Sequence, residues 1–237
     1  MEWFEEWFGE EYLQLYPHRD DADAERAVAL IGRTVGLQPG WRVLDVACGA
    51  GRHARAFVGA GARCFGLDLS ATLLRLARQV TDAPLVRADM RHLPIRSRAM
   101  DLTVNLFTSF GYFERDAEHR AALEEMIATV REGGWFVIDF LNPAAVRRRL
   151  VPEETLQLSG RTVRVSRSVS PDGRYVCKSI RVPKGRHYME RVRLFEPNQM
   201  EDMLEAAGVT VRYRFGDYDA SPITPDAART ILLGQVG

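Results

Sequence analysis

Three carboxylates carry the clearest chemical pattern in this chain. Asp45 lies in the apolar run Val43-Leu44-Asp45-Val46, Asp68 follows Cys64-Phe65-Gly66-Leu67, and Asp89 follows Leu85-Val86-Arg87-Ala88. Directly after the first run comes a turn of small residues, Ala47-Cys48-Gly49-Ala50-Gly51. Glycine there lets the backbone approach a ligand that a Cβ would hold away. Gly49, Gly51 and Ala54 fit the loose dinucleotide fingerprint G-x-G-x-x-G/A. Acids at the mouths of three successive strands would repel a pyrophosphate, so a nicotinamide dehydrogenase is the weaker reading. They suit a ligand with ribose hydroxyls, an adenine amine and net positive charge. Asp68 stands 19 residues after Gly49, near the spacing at which an acid takes ribose hydroxyls.

The elements that must position these residues follow from the patterns around them. The first run, the turn and the helix-like stretch 52–60 read as strand, glycine turn and helix. That is the opening unit of a doubly wound α/β sheet, whose ligand sits beyond the strand's carboxyl end. Ser70 is a suitable N-cap for a helix over 71–79, which sets Leu69 beside the adenine as an apolar contact. Apolar periodicity predicts further helices over 2–16, 21–37, 117–130 and 197–207, with Glu132-Gly133-Gly134 as a helix stop. Strands are expected over 101–106, 135–140, 209–215 and 230–236.

The stretches VLDVACGAGRH, GLDLS and RADMRHLP, in that order, resemble the cofactor-binding motifs of class I S-adenosylmethionine-dependent methyltransferases. The likeness runs from about Tyr12 to Asn142, with a matching carboxyl-terminal end, and extends less specifically to the sugar amino-methyltransferases. It implies a Rossmann-like seven-stranded sheet with the last strand antiparallel, and S-adenosylmethionine as cofactor. The cofactor-binding residues it implies are Ala47, Gly49 and Gly51 in the turn, and Asp68. Asp89 would accept from the adenine amine, and the Met90 N–H would reach a ring nitrogen. The backbone near Leu106 would meet the cofactor's amino group. In the resembling branch an amino-terminal segment folds over the cofactor, and the positions here are Tyr16 and Arg19, a guanidinium that can pair with a carboxylate. Ala47 departs from the glycine usual at the start of the turn, and the loop is expected to survive the change.

After the fourth strand the chain reads Asn105-Leu106-Phe107-Thr108-Ser109-Phe110-Gly111-Tyr112-Phe113, where the transferred methyl should point. This is not the tetrapeptide [DNS]-P-P-[YFW] of enzymes that methylate DNA amines. Tyr112 is the candidate catalytic residue: its hydroxyl can orient a nucleophile, and its position matches a histidine in the sugar enzymes. Phe110, with its neighbours, could wall a substrate pocket. His187, Tyr188, Asp217 and Tyr218 are further substrate-side candidates, the last two on the long segment GDYDASPITPDAA.

Residues 155–170, 174–182 and 186–195 alternate polar and apolar, which predicts a three-stranded antiparallel meander. The chain therefore divides into a cofactor-binding domain, 1–142 with 196–237, and an inserted small β lid, 143–195. The insert holds thirteen Lys or Arg and four Asp or Glu, hence +9 against −9 for the rest of a chain whose net charge is zero. A solvated arginine-rich face and an attraction for an anionic substrate or RNA both account for this. The composition, 46% apolar and 27% charged over 237 residues, is that of an ordinary globular chain. Three scattered cysteines and no apolar run of membrane length suggest a reducing cytoplasm, no metal site and no membrane partner. The expected function is methyl transfer by in-line displacement to a nitrogen or oxygen of a small molecule, an anionic one if the basic insert attracts it, with nucleic acid the lesser partner. The alternatives are an RNA methyltransferase and a non-catalytic cofactor-binding module.

Overall fold

The computed structural model describes residues 3–9, 21–158, 161–182 and 186–237. Its main sheet has seven strands: β1 Arg42–Val46, β2 Arg63–Asp68, β3 Leu85–Arg87, β4 Met100–Asn105, β5 Val130–Leu141, β10 Val209–Phe215 and β11 Arg229–Val236. Their order is β10-β11-β5-β4-β1-β2-β3. The last strand, β11, runs antiparallel to β5 and to β10, while β1 to β5 are mutually parallel. Central strands are apolar on both faces because helices cover both. Val43, Leu102 and Val104 pack with Leu30 and Ile31 of α2 (Asp21–Val35) and with Ala54 and Phe57 of α3 (Arg52–Gly59). On the other face, Leu44 and Val46 share a core with Leu123 and Met126 of α5 (Asp116–Ala128) and with Met200 and Leu204 of α7 (Pro197–Ala206).

Chain order reverses between β1 and β4, so the carboxyl ends of β1, β2 and β4 open beside one another. That is where an α/β sheet places its ligand. A short helix, α1 (Trp3–Trp7), and α4 (Ala71–Ala77) flank this opening.

A separate four-stranded antiparallel sheet is formed by β6 Glu153–Leu158, β7 Arg161–Val169, β8 Tyr175–Val182 and β9 Arg186–Arg193, in that order. The single strand expected over 155–170 is two, β6 and β7, paired in register from Glu153↔Ser166 to Leu158↔Arg161. A helix that the periodicity did not reveal, α6 (Pro143–Arg149), precedes them. Asn142 caps it, its side chain accepting from Ala144 N at 3.1 Å, and Pro143 occupies the first turn, where a missing N–H costs nothing. Residues 132–134 do not stop a helix: α5 has ended at Ala128, and the glycines lie in an irregular stretch of β5 where pairing jumps from Met100↔Val130 to Leu102↔Trp135. A Cβ on Gly134 would fall 2.7 Å from Val130 Cγ1.

Several of the inserted segment's cations are engaged in ion pairs. Arg147 pairs with Glu196, Arg148 with Asp226, Arg167 with Glu154, and both Arg174 and Arg193 with Asp116. No helix among the described residues is long and apolar enough to cross a membrane.

Candidate functional site

The turn after β1 is built on left-handed backbone. Ala47, Gly49 and Gly51 have φ of +59°, +56° and +85°. Asp68, at the end of β2, braces it: one carboxylate oxygen accepts from Gly49 N and the other from Ser70 N, both at 2.8 Å. Each oxygen keeps a lone pair for a further donor. Burial raises the Asp68 pKa, against the pull of these N–H donors. Asp45 is buried more deeply. Burial first, then the neighbouring Asp68, push its pKa up to about 8, and its Oδ2 has no hydrogen-bond partner.

Beyond the turn lies a cavity of about 540 Å³, within the usual size of a cofactor site. Its first wall is made by Asp68, Leu69, Ala88, Asp89 and Met90. Asp89 is gripped by Arg91, whose backbone N–H and guanidinium donate to it at 2.6 to 3.1 Å. Burial raises the Asp89 pKa, but the bonds from Arg91 together outweigh it and hold the group below the usual carboxylate range. Aromatic rings close the cavity: Phe4 and Phe8 pack against Tyr112, at 6.3 and 5.6 Å between centroids, and Phe113 packs edge-on to Phe4. Ser70 ties this roof to the sheet, its hydroxyl donating to Phe8 O at 2.6 Å.

At the opposite end, Leu106 and Phe107 follow β4. Phe107 and Thr108 are both left-handed, with φ of +57° and +60°, a strained conformation that the surroundings must enforce. Buried Asp139 enforces it. Its carboxylate accepts from Phe107 N at 3.0 Å, from the Tyr218 hydroxyl at 2.6 Å and from Arg229 at 2.9 Å. The hydroxyls of Tyr112 and Ser109 both donate to backbone carbonyls, Thr108 O at 2.5 Å and Leu106 O at 2.8 Å.

Of the residues singled out from the sequence, Ala47, Gly49, Asp68, Leu69, Asp89, Met90, Leu106 and Tyr112 line this one cavity. Tyr16 and Arg19 lie outside the described residues. The others are elsewhere. Gly51 serves packing, since a Cβ there would come 2.9 Å from Ala77 Cβ. Phe110 is a core ring between His119 and Phe195. Tyr218 is buried, its hydroxyl on Asp139, and Asp217 lines a separate shallow cavity with Arg149 and Asp226. Tyr188 packs tilted against Trp7, 4.5 Å between ring centroids, and exposed His187 bonds Ser179 Oγ at 2.7 Å. Sequence reasoning passed over Arg52 and His53, which line the wall beside the turn. Their position directly after Gly51 was the available signal.

These groups fit S-adenosylmethionine: carboxylates at two strand ends and an apolar contact between them at Leu69. The comparisons agree. A methyltransferase domain model matches residues 43–134. The chain is 34% identical, over 73% of its length and 72% of the relative's, to a dTDP-3-amino-3,6-dideoxy-α-D-glucopyranose N,N-dimethyltransferase of Streptomyces fradiae. It is 32% identical, over 73% and 77%, to the corresponding 3,4,6-trideoxy sugar enzyme of Streptomyces venezuelae. The CcbJ methyltransferase of Streptomyces caelestis has the same fold, with a TM-score of 0.81 over 98% of this chain and 99% of that one at 18% identity. The chain thus belongs to the class I S-adenosylmethionine-dependent methyltransferases.

Proposed function

We propose that this methyltransferase methylates the amino nitrogen of a nucleotide-linked amino sugar by in-line displacement. The observation that carries the nitrogen assignment is the reaction of the two relatives, each an amino-sugar N,N-dimethyltransferase. Tyr112 and Ser109, whose hydroxyls donate to backbone carbonyls beside Leu106, stand on the cavity wall where the amine would be aligned. A hydroxyl acceptor would need a base to remove its proton; an amine that is neutral near pH 7 does not. Likeness to two amino-sugar N,N-dimethyltransferases over nearly three quarters of the chain supports the sugar.

When bound, S-adenosylmethionine supplies an electrophilic methyl on its sulfonium. The chain's part is orientation in a dry site. Asp68 and Asp89 hold the nucleoside, the roof of Phe4, Phe8 and Phe113 excludes water, and Tyr112 aligns the amine. Orientation of this kind supplies roughly 7–11 kcal/mol in favourable cases. The segment 143–195 acts as the lid on the acceptor side.

The test is turnover followed by mass spectrometry, with a dTDP-linked 3-amino-dideoxyhexose and its 3-hydroxy counterpart. Methylation of the amine alone is expected, with kcat/KM falling about tenfold in Tyr112→Phe, the loss of one oriented hydrogen bond. Comparable methylation of the hydroxy sugar, or no turnover of any amino-sugar nucleotide, overturns the proposal.

A further inference from the structure

The long segment between β10 and β11, residues 216–228, puts no residue on the cavity wall, yet it reaches the turn that does. The segment is tied down at several points. Gly216 N donates to Ser221 O at 2.7 Å, and Asn142, just before α6, donates its side-chain amide to Thr224 O and Ala227 O, both at 2.8 Å. From this frame Tyr218 points inward. It is 4% exposed, and its hydroxyl donates to Asp139 Oδ2 at 2.6 Å. Burial first, then the nearby Asp139, raises the Tyr218 pKa, so the hydroxyl keeps its proton and remains a donor.

The same Oδ2 accepts from Phe107 N at 3.0 Å, and the Asp139 main-chain oxygen accepts from Thr108 N at 2.9 Å. Arg229 completes the group. It donates to both carboxylate oxygens at 2.9 and 3.1 Å, and its guanidinium lies 4.5 Å from the centre of the Tyr218 ring and 4.6 Å from that of Phe107. What these bonds restrain is the pair Phe107-Thr108. Two successive left-handed residues other than glycine persist only where their surroundings over-determine them, and such strain gathers at functional sites. Leu106, Phe107, Ser109 and Tyr112 all line the cavity, and the Tyr112 hydroxyl rests on Thr108 O. A change of φ at 107 or 108 therefore moves the acceptor-side wall.

We propose that Tyr218, acting through Asp139, is a positioning residue for methyl transfer: it fixes the turn after β4 and, with it, the place of Tyr112 against the acceptor. The 216–228 segment thus serves the reaction without touching the cavity. This rests on the proposed reaction, in which a misplacement of about 1 Å can cost roughly 100-fold in rate.

The experiment combines steady-state kinetics, titration calorimetry with S-adenosylhomocysteine, and residue-resolved amide exchange on the S-adenosylhomocysteine complex. Tyr218→Phe keeps the ring and loses the hydroxyl. It should lower kcat about tenfold while cofactor affinity is retained. Exchange of the Phe107 and Thr108 amides should quicken while those of β1 stay protected. Asp139→Asn should do both more strongly; Tyr218→Phe alone decides if that variant does not fold. Wild-type kcat in Tyr218→Phe overturns the proposal. So does a loss of cofactor affinity equal to the loss of kcat, or exchange at Phe107 and Thr108 that is unchanged or quickens only with the whole sheet. A wild-type protein that methylates no amino-sugar nucleotide refutes the proposed acceptor instead, and amide exchange then still decides whether Tyr218 positions the turn.

Discussion

Asp45 and Asp68 are neighbouring carboxylates with different duties. Asp68 spends both oxygens on backbone N–H groups and shapes the turn; Asp45 has an oxygen with no partner, and burial with Asp68 nearby raises its pKa to about 8. The native state therefore keeps a proton that the unfolded chain releases near pH 4. The sign follows directly: this contribution to stability is complete below pH 4 and is lost as pH rises towards 8, at about 1.4 kcal/mol per pH unit. Asp45→Asn cannot titrate. Its stability relative to wild type should climb steadily between pH 5 and 8, measured by urea unfolding, and parallel pH profiles would refute the shift. Much at this scale was legible from residue type and spacing, since eight candidate positions share one cavity. What was not legible depended on distant partners. Tyr218 is withdrawn from the surface by Asp139, 79 residues away in sequence. Nor does an arginine after a glycine turn announce that a ring from the end of β4 will hold it.

Among the elements, α4 links the nucleoside acids to the roof. Ser70 Oγ accepts from Leu73 N at 3.2 Å, capping the helix, and donates its own proton to Phe8 O beyond α1. One hydroxyl thus closes a helix terminus and latches the aromatic cover. Ser70→Ala should cost about 1 kcal/mol through the lost cap. It should also speed cofactor release, whereas a helix cap alone would lower the melting temperature and leave the dissociation rate unchanged; stopped-flow release of S-adenosylhomocysteine separates the two. The cap could be read from the sequence because it is local; the latch spans 62 residues and could not. The same distinction explains the element boundaries. The strand-turn-helix unit at 42–59 follows its local apolar and glycine signals. The excursion at 131–134 looks like a helix stop until β4 is laid beside it. For α6, Asn142-Pro143 was a fair local signal, masked by the expectation of strand on either side.

At the scale of the molecule, Trp7 joins the two sheets. It is 1% exposed, packs with Val163, Val165 and Ile180 of the smaller sheet, lies tilted against the Tyr188 ring and donates Nε1–H to Glu190 at 2.5 Å. The same short helix presents Phe4 to the cofactor cavity. Alternation showed that the insert was antiparallel, but the identity of the side chain docked against it depends on packing between segments more than 150 residues apart. Two substitutions separate packing from polarity. Trp7→Ala empties a buried site and should cost about 3–5 kcal/mol. Trp7→Phe keeps most of the contact and loses the bond to a carboxylate, for about 1.5–3 kcal/mol. If α1 carries the position of the smaller sheet to the cavity, both variants should also weaken S-adenosylhomocysteine binding at a temperature where each remains folded, Trp7→Ala more than Trp7→Phe. Stability losses of this size with wild-type affinity in calorimetry would make Trp7 a core residue of the insert and leave the cavity roof independent of it.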